Sequence, residues 1–241
     1  MTSVRIQQTS RRERLALSAR RVEEAARRAG DDAVRRALNL AVAAAGIVMA
    51  APLMLLIAGV IKLTSRGPVI YTQQRVGVDR RSPGSGQNHR RRHDLGGKPF
   101  TIYKFRTMRR RQATADEQVW ASPEDPRVTM VGRVLRNYRL DELPQLFNVL
   151  LGDMNVVGPR PEQPRIFHEL QQEIDGYRER QRVLPGITGW AQINNGYDLS
   201  VDDVRRKVAY DLEYVTRCSA LHDLQIMLRT FPVMALRKGA W

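Results

Sequence analysis

From Leu40 to Ile61 the chain runs LAVAAAGIVMAAPLMLLIAGVI, twenty-two residues without a charged side chain. As a helix this stretch reaches about 33 Å at 1.5 Å per residue, enough to cross a hydrocarbon core of ~30 Å. It begins too far into the chain, and lacks the short basic lead and small-residue cleavage pattern, to read as a secretion signal. The ordinary alternative is the buried helix of a soluble domain, which is usually shorter. Arg35 and Arg36 precede the stretch and Lys62 and Arg66 follow it. The tendency of basic flanks to stay in the cytoplasm then applies to both ends. Pro52, near the middle, removes a backbone donor and crowds the preceding turn. Each half is only about 18 Å long at 1.5 Å per residue, too short to cross. Charge and proline together favour a re-entrant helix that bends at Pro52 and returns; an ordinary kinked span is the alternative, since bilayer helices tolerate proline.

The net charge of +15 is concentrated on either side of this stretch. Residues 1–38 carry ten arginines against five acids, and residues 62–111 carry fourteen basic side chains against Asp79 and Asp94. Residues 112–241 are slightly acidic, at −2. Such a charge requires an anionic partner: nucleic acid, lipid headgroups or a phosphorylated substrate. Its bracketing of an apolar segment fits anionic membrane lipids, where a basic residue near the surface is worth about 1 kcal/mol. With 42% hydrophobic residues the chain can bury a core, which excludes wholesale disorder. Cys218, the single cysteine, can form neither an internal disulfide nor a cysteine metal cage and points to a reducing compartment.

These features divide the chain into a basic extension (1–38), a membrane helix (39–64) and a remaining domain (65–241). Within the extension, residues 10–29 read as a basic, weakly amphipathic helix that either rests on headgroups or is solvated. VIYTQ (69–73) and FTIYKF (100–105) have the branched and aromatic content of strands. The connecting 79–97 segment, rich in Gly, Ser, Pro and Arg, reads as a mobile surface loop. His89 and His93 within it have a metal-like spacing, but neighbouring arginines would repel a cation and no metal site is expected there. SPEDP (122–126) is a turn, and helical patterns follow at 128–151, 162–174, 201–217 and 221–236. The segment 221–241 suits either an interfacial helix or a core helix. No phosphate-binding glycine loop of the nucleotide-binding folds is present.

The densest run of reactive groups is RNYRLDELPQLFNVLLGDMNVVGPRPE (136–162). Leu140, Leu143, Phe147 and Leu150/Leu151 are expected to mark the buried face of a helix that begins near Asp141, with Pro144 in its first turn. On the simplest reading Asp141 caps that helix and Glu142 complements its dipole. The same geometry also suits chemistry. Helix N–H groups attract a phosphate, and Arg136, Arg139 and Arg160 can add charge-assisted bonds to it. The two carboxylates can hold Mg²⁺ together with phosphate oxygens, or one of them can attack phosphorus.

The strings GPVIYTQQRVG (67–77), KPFTIYKFRTM (98–108), LDELPQLFNVLLGDMNVVGPRPE (140–162), LPGITGWAQINNG (184–196) and YDLEYV with DLQIMLRT (210–215, 223–230) occur in order. In them the chain resembles the bacterial sugar transferases, the monotopic polyprenyl-phosphate phosphoglycosyl transferases, over about residues 40–237. The resemblance implies that Asp141 is the nucleophile on the β-phosphate of a UDP-sugar, releasing UMP and leaving a covalent sugar-phosphoryl aspartate. Undecaprenyl phosphate would then take the sugar phosphate. It implies Glu142 as the partner of the dyad, associated with Mg²⁺, and Arg136 and Arg160 as phosphate-handling positions. Arg160 lies between Pro159 and Pro161 of a Pro-Arg-Pro motif assigned to the substrate site. Lys104 and Arg106 are further substrate-binding candidates; Gln192, in the Gly189-Trp190-Ala191-Gln192 element, is either a substrate residue or structural. The family breaks its membrane helix at a proline, often within Ser-Pro, where this chain has Ala51-Pro52. The 79–97 loop and the basic extension are further departures.

The fold class expected is therefore α+β, mainly α: a monotopic membrane protein with a Pro52-broken re-entrant helix, interfacial amphipathic helices and a small cytosolic domain with short β segments. The expected setting is the cytoplasmic face of a bacterial inner membrane. There the enzyme would start exopolysaccharide, capsule, O-antigen or glycoprotein glycan assembly alongside downstream glycosyltransferases, with no nucleic-acid partner. Two other readings are a membrane-tethered nucleic-acid binder using the basic blocks, which lacks any recognisable binding module, and an inactive scaffold for glycan assembly. Sugar identity and oligomeric state are not encoded legibly.

Overall fold

The computed structural model describes residues 2–80, 97–109, 125–195 and 201–235, with side chains in the first helix described from Gly30 onward. Most of the 79–97 loop, residues 122–124 of the turn and residues 236–241 lie outside the described residues, as do the side chains of the 10–29 segment.

Alanine, leucine, arginine and glutamate dominate the first forty residues, all good helix formers. The extension and the apolar stretch accordingly form one helix, α1 (Thr2–Thr64), with no boundary near residue 39. Pro52 lies inside this helix and does not end it; a proline costs one intrahelical bond, which flanking turns can absorb. Within α1, Gly30–Thr64 is long and apolar enough to cross a membrane by length and composition.

One face of α1 packs on the rest of the protein. Arg35, Asn39 and Ala43 are buried, and Leu38 and Val42 pack beside them. After the proline, Ile57 and Ile61 are buried, with Met54 and Ala58 alongside. The three- and four-residue spacing is that of a single helical face. The other face shows Val48, Met49, Leu53, Leu55, Leu56 and Leu63 at 40–88% exposure. Segments on both sides of Pro52 are thus seated on the same folded domain.

That domain is built around two small sheets. β1 (Ile70–Val76) pairs antiparallel with β2 (Pro99–Phe105), Ile70 opposite Phe105 and Val76 opposite Pro99. β3 (Asn155–Val157) pairs parallel with β4 (Gly186–Thr188). A parallel pair needs a crossover, and α4 (Pro164–Glu173) with a 3₁₀ segment (Tyr177–Arg182) supplies it. α4 starts two residues later than the periodicity suggests, because Pro164 takes the first helical turn, where its missing donor costs nothing. The remaining helices are α2 (Met130–Asn137), α3 (Gln145–Leu151), α5 (Trp190–Asn194), α6 (Val201–Arg217) and α7 (Ala220–Ala235). The helix expected over 128–151 is divided into α2, a 3₁₀ turn (Leu140–Glu142) and α3.

α7 is both core and surface. Asp223, Ile226 and Met227 are buried, whereas Leu221, Leu224, Leu228 and Phe231 are 41–71% exposed. Their spacing of three, four and three residues places an apolar stripe along the outer face.

Candidate active site

The break between α2 and α3 creates the site. Arg139 adopts φ 54°, the one positive φ of a non-glycine residue among the described residues. The left-handed residue reverses the chain after α2 and starts the 3₁₀ turn of Leu140, Asp141 and Glu142. Leu140 and Leu143 pack with Ile57, Ile61, Phe105 and Leu135, so burial of the two leucines fixes the direction of the carboxylates between them. Asp141 is therefore not the side-chain cap of a long α-helix: the turn begins at Arg139 without a side-chain cap bond, and Pro144 takes the N-cap position of α3.

The two acids have unlike surroundings. Glu142 is 6% exposed and is held by two cations from distant elements. Lys104 Nζ, on β2, donates to Oε1 at 2.8 Å, and Arg160 Nη2 donates to the same oxygen at 2.6 Å. Arg160 Nη1 is 3.4 Å from Oε2. Burial by itself would raise the pKa of Glu142, but Arg160 and Lys104 outweigh it and hold the carboxyl well below the usual range. Asp141 is 8% exposed and accepts no hydrogen bond among the described residues. Its pKa is raised, first by burial, with the charge of Glu142 adding to the effect against the pull of Lys104, Arg160 and Arg136. The arrangement is a clamped, more acidic carboxylate beside a more basic one that accepts no hydrogen bond among the described residues.

The other candidates divide. Arg136 lies in the last turn of α2, with Nε donating to Thr107 Oγ1 at 3.0 Å, and adds positive potential at Asp141. Arg106 is turned away from the dyad. Its guanidinium donates to the carbonyls of Ser65 and Arg66, both at 2.8 Å, and locks the end of α1. Gly67 follows with φ 121°, and a Cβ there would run into the Arg106 guanidinium, so the junction requires glycine. Gln192 Nε2 donates to Ile187 O at 3.0 Å, and Trp190 Nε1 donates to Glu213 at 3.0 Å; these contacts tie the Gly-Trp-Ala-Gln element into β4 and α6. Pro159 and Pro161 flank Arg160 in the loop after β3. Sequence reasoning did not single out Arg75 and Arg180, which bond the backbone of that loop; arginines in TQQRVG and YRERQR have no local mark of such a role.

Among the described residues no third carboxylate, histidine or cysteine joins the dyad as a metal-ligand cluster. Two hard carboxylates fit Mg²⁺, which is commonly held by one or two of them with substrate phosphates and water. Asp141 is open to such an ion, and Glu142 offers Oε2, the less firmly engaged of its oxygens.

A long apolar helix seated on a small helical domain, with a buried acidic dyad ringed by cations, defines a class of protein suited to handling an anionic group beside an apolar surface. Comparison with known proteins makes this specific. The chain belongs to the bacterial sugar transferase family, whose model matches residues 30–237. It is 40% identical over 207 residues to the UDP-N-acetylgalactosamine-undecaprenyl-phosphate N-acetylgalactosaminephosphotransferase of Aeromonas hydrophila, covering 86% of this chain and 45% of that one. It is 39% identical over 212 residues to the UDP-glucose:undecaprenyl-phosphate glucose-1-phosphate transferase of Escherichia coli K12, covering 86% and 41% respectively. An identically named protein of Caulobacter vibrioides is 39% identical over 212 residues, covering 87% of this chain and 73% of its own. The chain thus spans less than half the length of the first two of these relatives.

Proposed function

We propose that the protein transfers a sugar 1-phosphate from a UDP-sugar to undecaprenyl phosphate, through Asp141. The observation that carries this reading is the asymmetry of the dyad. Glu142 is engaged by Lys104 and Arg160 and is a poor nucleophile, whereas Asp141 accepts no hydrogen bond among the described residues and is the more basic of the two. An Asp141 oxygen attacks the β-phosphorus of the donor, the phosphoanhydride bond breaks, and UMP leaves with the bonding pair. An oxygen of undecaprenyl phosphate then attacks the same phosphorus, and the aspartate leaves as carboxylate, giving the diphosphate-linked sugar. Lys104, Arg160 and Arg136 supply the positive potential that lets a diphosphate approach two acids. Mg²⁺, when bound at Asp141 and Glu142, would neutralise further phosphate charge.

The names of the relatives support both substrates and divide between glucose and N-acetylgalactosamine as the sugar. The test is a panel of UDP-sugars incubated with undecaprenyl phosphate and Mg²⁺. At least one donor is expected to release UMP and, without the lipid, to leave a sugar-phosphate mass adduct on the protein. Release of UDP instead of UMP would rule the reaction out.

We place the protein on the cytoplasmic side of a bacterial membrane with α1 re-entrant at Pro52. The support is that Arg35–Ala43 and Ile57–Ile61 seat on one domain, while six large apolar side chains between Val48 and Leu63 face outward. Each such side chain gains roughly 1.5–3 kcal/mol on burial, so together they favour a lipid setting by an amount on the order of 10 kcal/mol. The stripe on α7 would lie in the same interface. In a Cys218→Ser background, Gly30→Cys and Ile70→Cys are expected to react with an impermeant maleimide from the same face of sealed vesicles. Labelling from opposite faces would establish a span.

A further inference from the structure

Proline has no N–H, so the loop Pro159-Arg160-Pro161-Glu162 carries four carbonyls and only two amide donors. It cannot satisfy itself and must be held by donors from elsewhere. All four carbonyls are held. Gly186 N donates to Pro159 O at 3.0 Å and Val76 N to Glu162 O at 2.9 Å. The two between them are taken by guanidinium groups: Arg180 Nη2 to Arg160 O at 3.1 Å and Arg75 Nη1 to Pro161 O at 3.1 Å. Both arginines are fixed in turn. Arg180, 3% exposed, pairs with Asp211 at 2.6 Å and donates to Tyr177 Oη at 2.8 Å. Arg75 Nη2 donates to Gln73 Oε1 at 2.8 Å.

We propose that Arg75 and Arg180 are positioning residues that clamp the backbone of the Pro-Arg-Pro loop and thereby seat the Arg160 guanidinium on Glu142. The proposal rests on the transfer reaction proposed for Asp141. Among the described residues neither arginine bonds the dyad; each acts on the carbonyl at or beside Arg160. Lysine at either position keeps the charge but loses the second arm of the fork, so it cannot hold the loop and its own anchor together.

The test compares Arg180→Lys, Arg75→Lys and Arg160→Gln, singly and in pairs, in the full chain reconstituted in nanodiscs with a donor that releases UMP. Each lysine variant is expected to lower kcat about tenfold or more, the scale on which small displacements of reacting groups act, with donor KM changed less than about threefold. In the Arg160→Gln background the same changes are expected to cost less than about twofold, because coupled residues are not additive. Losses that multiply in full would overturn the proposal, as would lysine variants with wild-type kcat. A structure of the Arg180→Lys protein gives a readout independent of activity: the 2.6 Å Arg160–Glu142 contact is expected to open, and its persistence would overturn the clamp even if the transfer reaction itself were wrong. Retained UMP release by Asp141→Asn would instead sink the reaction and leave that distance to decide the clamp. Should Arg180→Lys fail to fold, the half-buried Arg75 carries the same two measurements.

Discussion

Asp141→Asn is expected to lose at least about 10⁴-fold in UMP release, on the order of 5 kcal/mol of transition-state stabilisation at 1.36 kcal/mol per decade, while folding at least as tightly as the wild type. The loss follows from chemistry: asparagine keeps the shape but has no carboxylate to attack phosphorus or to leave as an anion. The stability gain follows from the site. The Asp141 carboxylate is buried, accepts no hydrogen bond among the described residues and lies beside Glu142, and its pKa is raised, mainly by burial. For an acid whose folded pKa exceeds its unfolded value, the native state binds the proton more tightly. Its favourable contribution is full below the ordinary aspartate value near 3.9 and is lost as pH rises through the folded pKa. At neutral pH the wild type therefore carries a charge that opposes folding, and asparagine removes it. The melting temperature of Asp141→Asn should exceed that of the wild type at pH 7–8, with the gain shrinking toward pH 4. A gain that grew on acidification would contradict the assigned direction, and undiminished UMP release would remove Asp141 as nucleophile.

The parts legible in the sequence are those with a long or strongly patterned signal. Leu40–Ile61 announces an apolar helix by length alone, and the branched residues of VIYTQ and FTIYKF announce β1 and β2 to within a few residues at their ends. β3 and β4 span three residues each, too few for any period to show. The division of the 128–151 helix was hidden because it depends on Arg139 taking a left-handed conformation, which arginine normally avoids; burial of Leu140 and Leu143 pays that cost. The site itself is long-range. Lys104 and Arg160 reach Glu142 across 38 and 18 residues; the density of cations in 136–162 pointed to Arg160 as a phosphate partner, but Lys104 was nominated by the motif resemblance alone. The same resemblance nominated Arg106, two residues beyond Lys104, whose guanidinium instead closes the end of α1. A charge in a motif does not tell which way its side chain turns.

Asp223→Ala is expected to lower stability by about 3–5 kcal/mol, the usual cost of stripping one partner from a buried ion pair. For a chain of this size, at about 2–4 °C per kcal/mol, the melting temperature should fall by roughly 6–20 °C. Asp223 is fully buried, and Arg35 and Tyr214 are 5% and 1% exposed. Arg35 Nε donates to Oδ2 at 3.2 Å, and Tyr214 Oη donates to Oδ1 at 2.7 Å while accepting from Arg35 Nη2 at 2.9 Å. Asn39 continues the network, its Nδ2 donating to Arg35 O at 2.7 Å and its Oδ1 accepting from Val156 N at 2.6 Å. Alanine would leave the buried Arg35 guanidinium with only the exposed Asp32 carboxylate, 3.2 Å from Nη1, as counter-charge, in a cluster that joins α1, α6, α7 and β3. Thermal unfolding in nanodiscs should therefore rank Asp223→Ala well below the double variant Arg35→Met with Asp223→Leu, in which both charges leave together and apolar volume replaces them. A fall under about 2 °C for Asp223→Ala would mean that water reaches the pair. A double variant no better than Asp223→Ala would mean that the network stabilises through its hydrogen bonds to Tyr214 and the Arg35 backbone turn, and not through the charge pair. Because Arg35 stands five residues before the apolar stretch and Asp223 stands on α7, the pair fastens these two helices to each other. Its loss should accordingly loosen α1 and α7 from the domain together, seen as faster amide exchange at Val156 and along α7, before the β1–β2 pair opens.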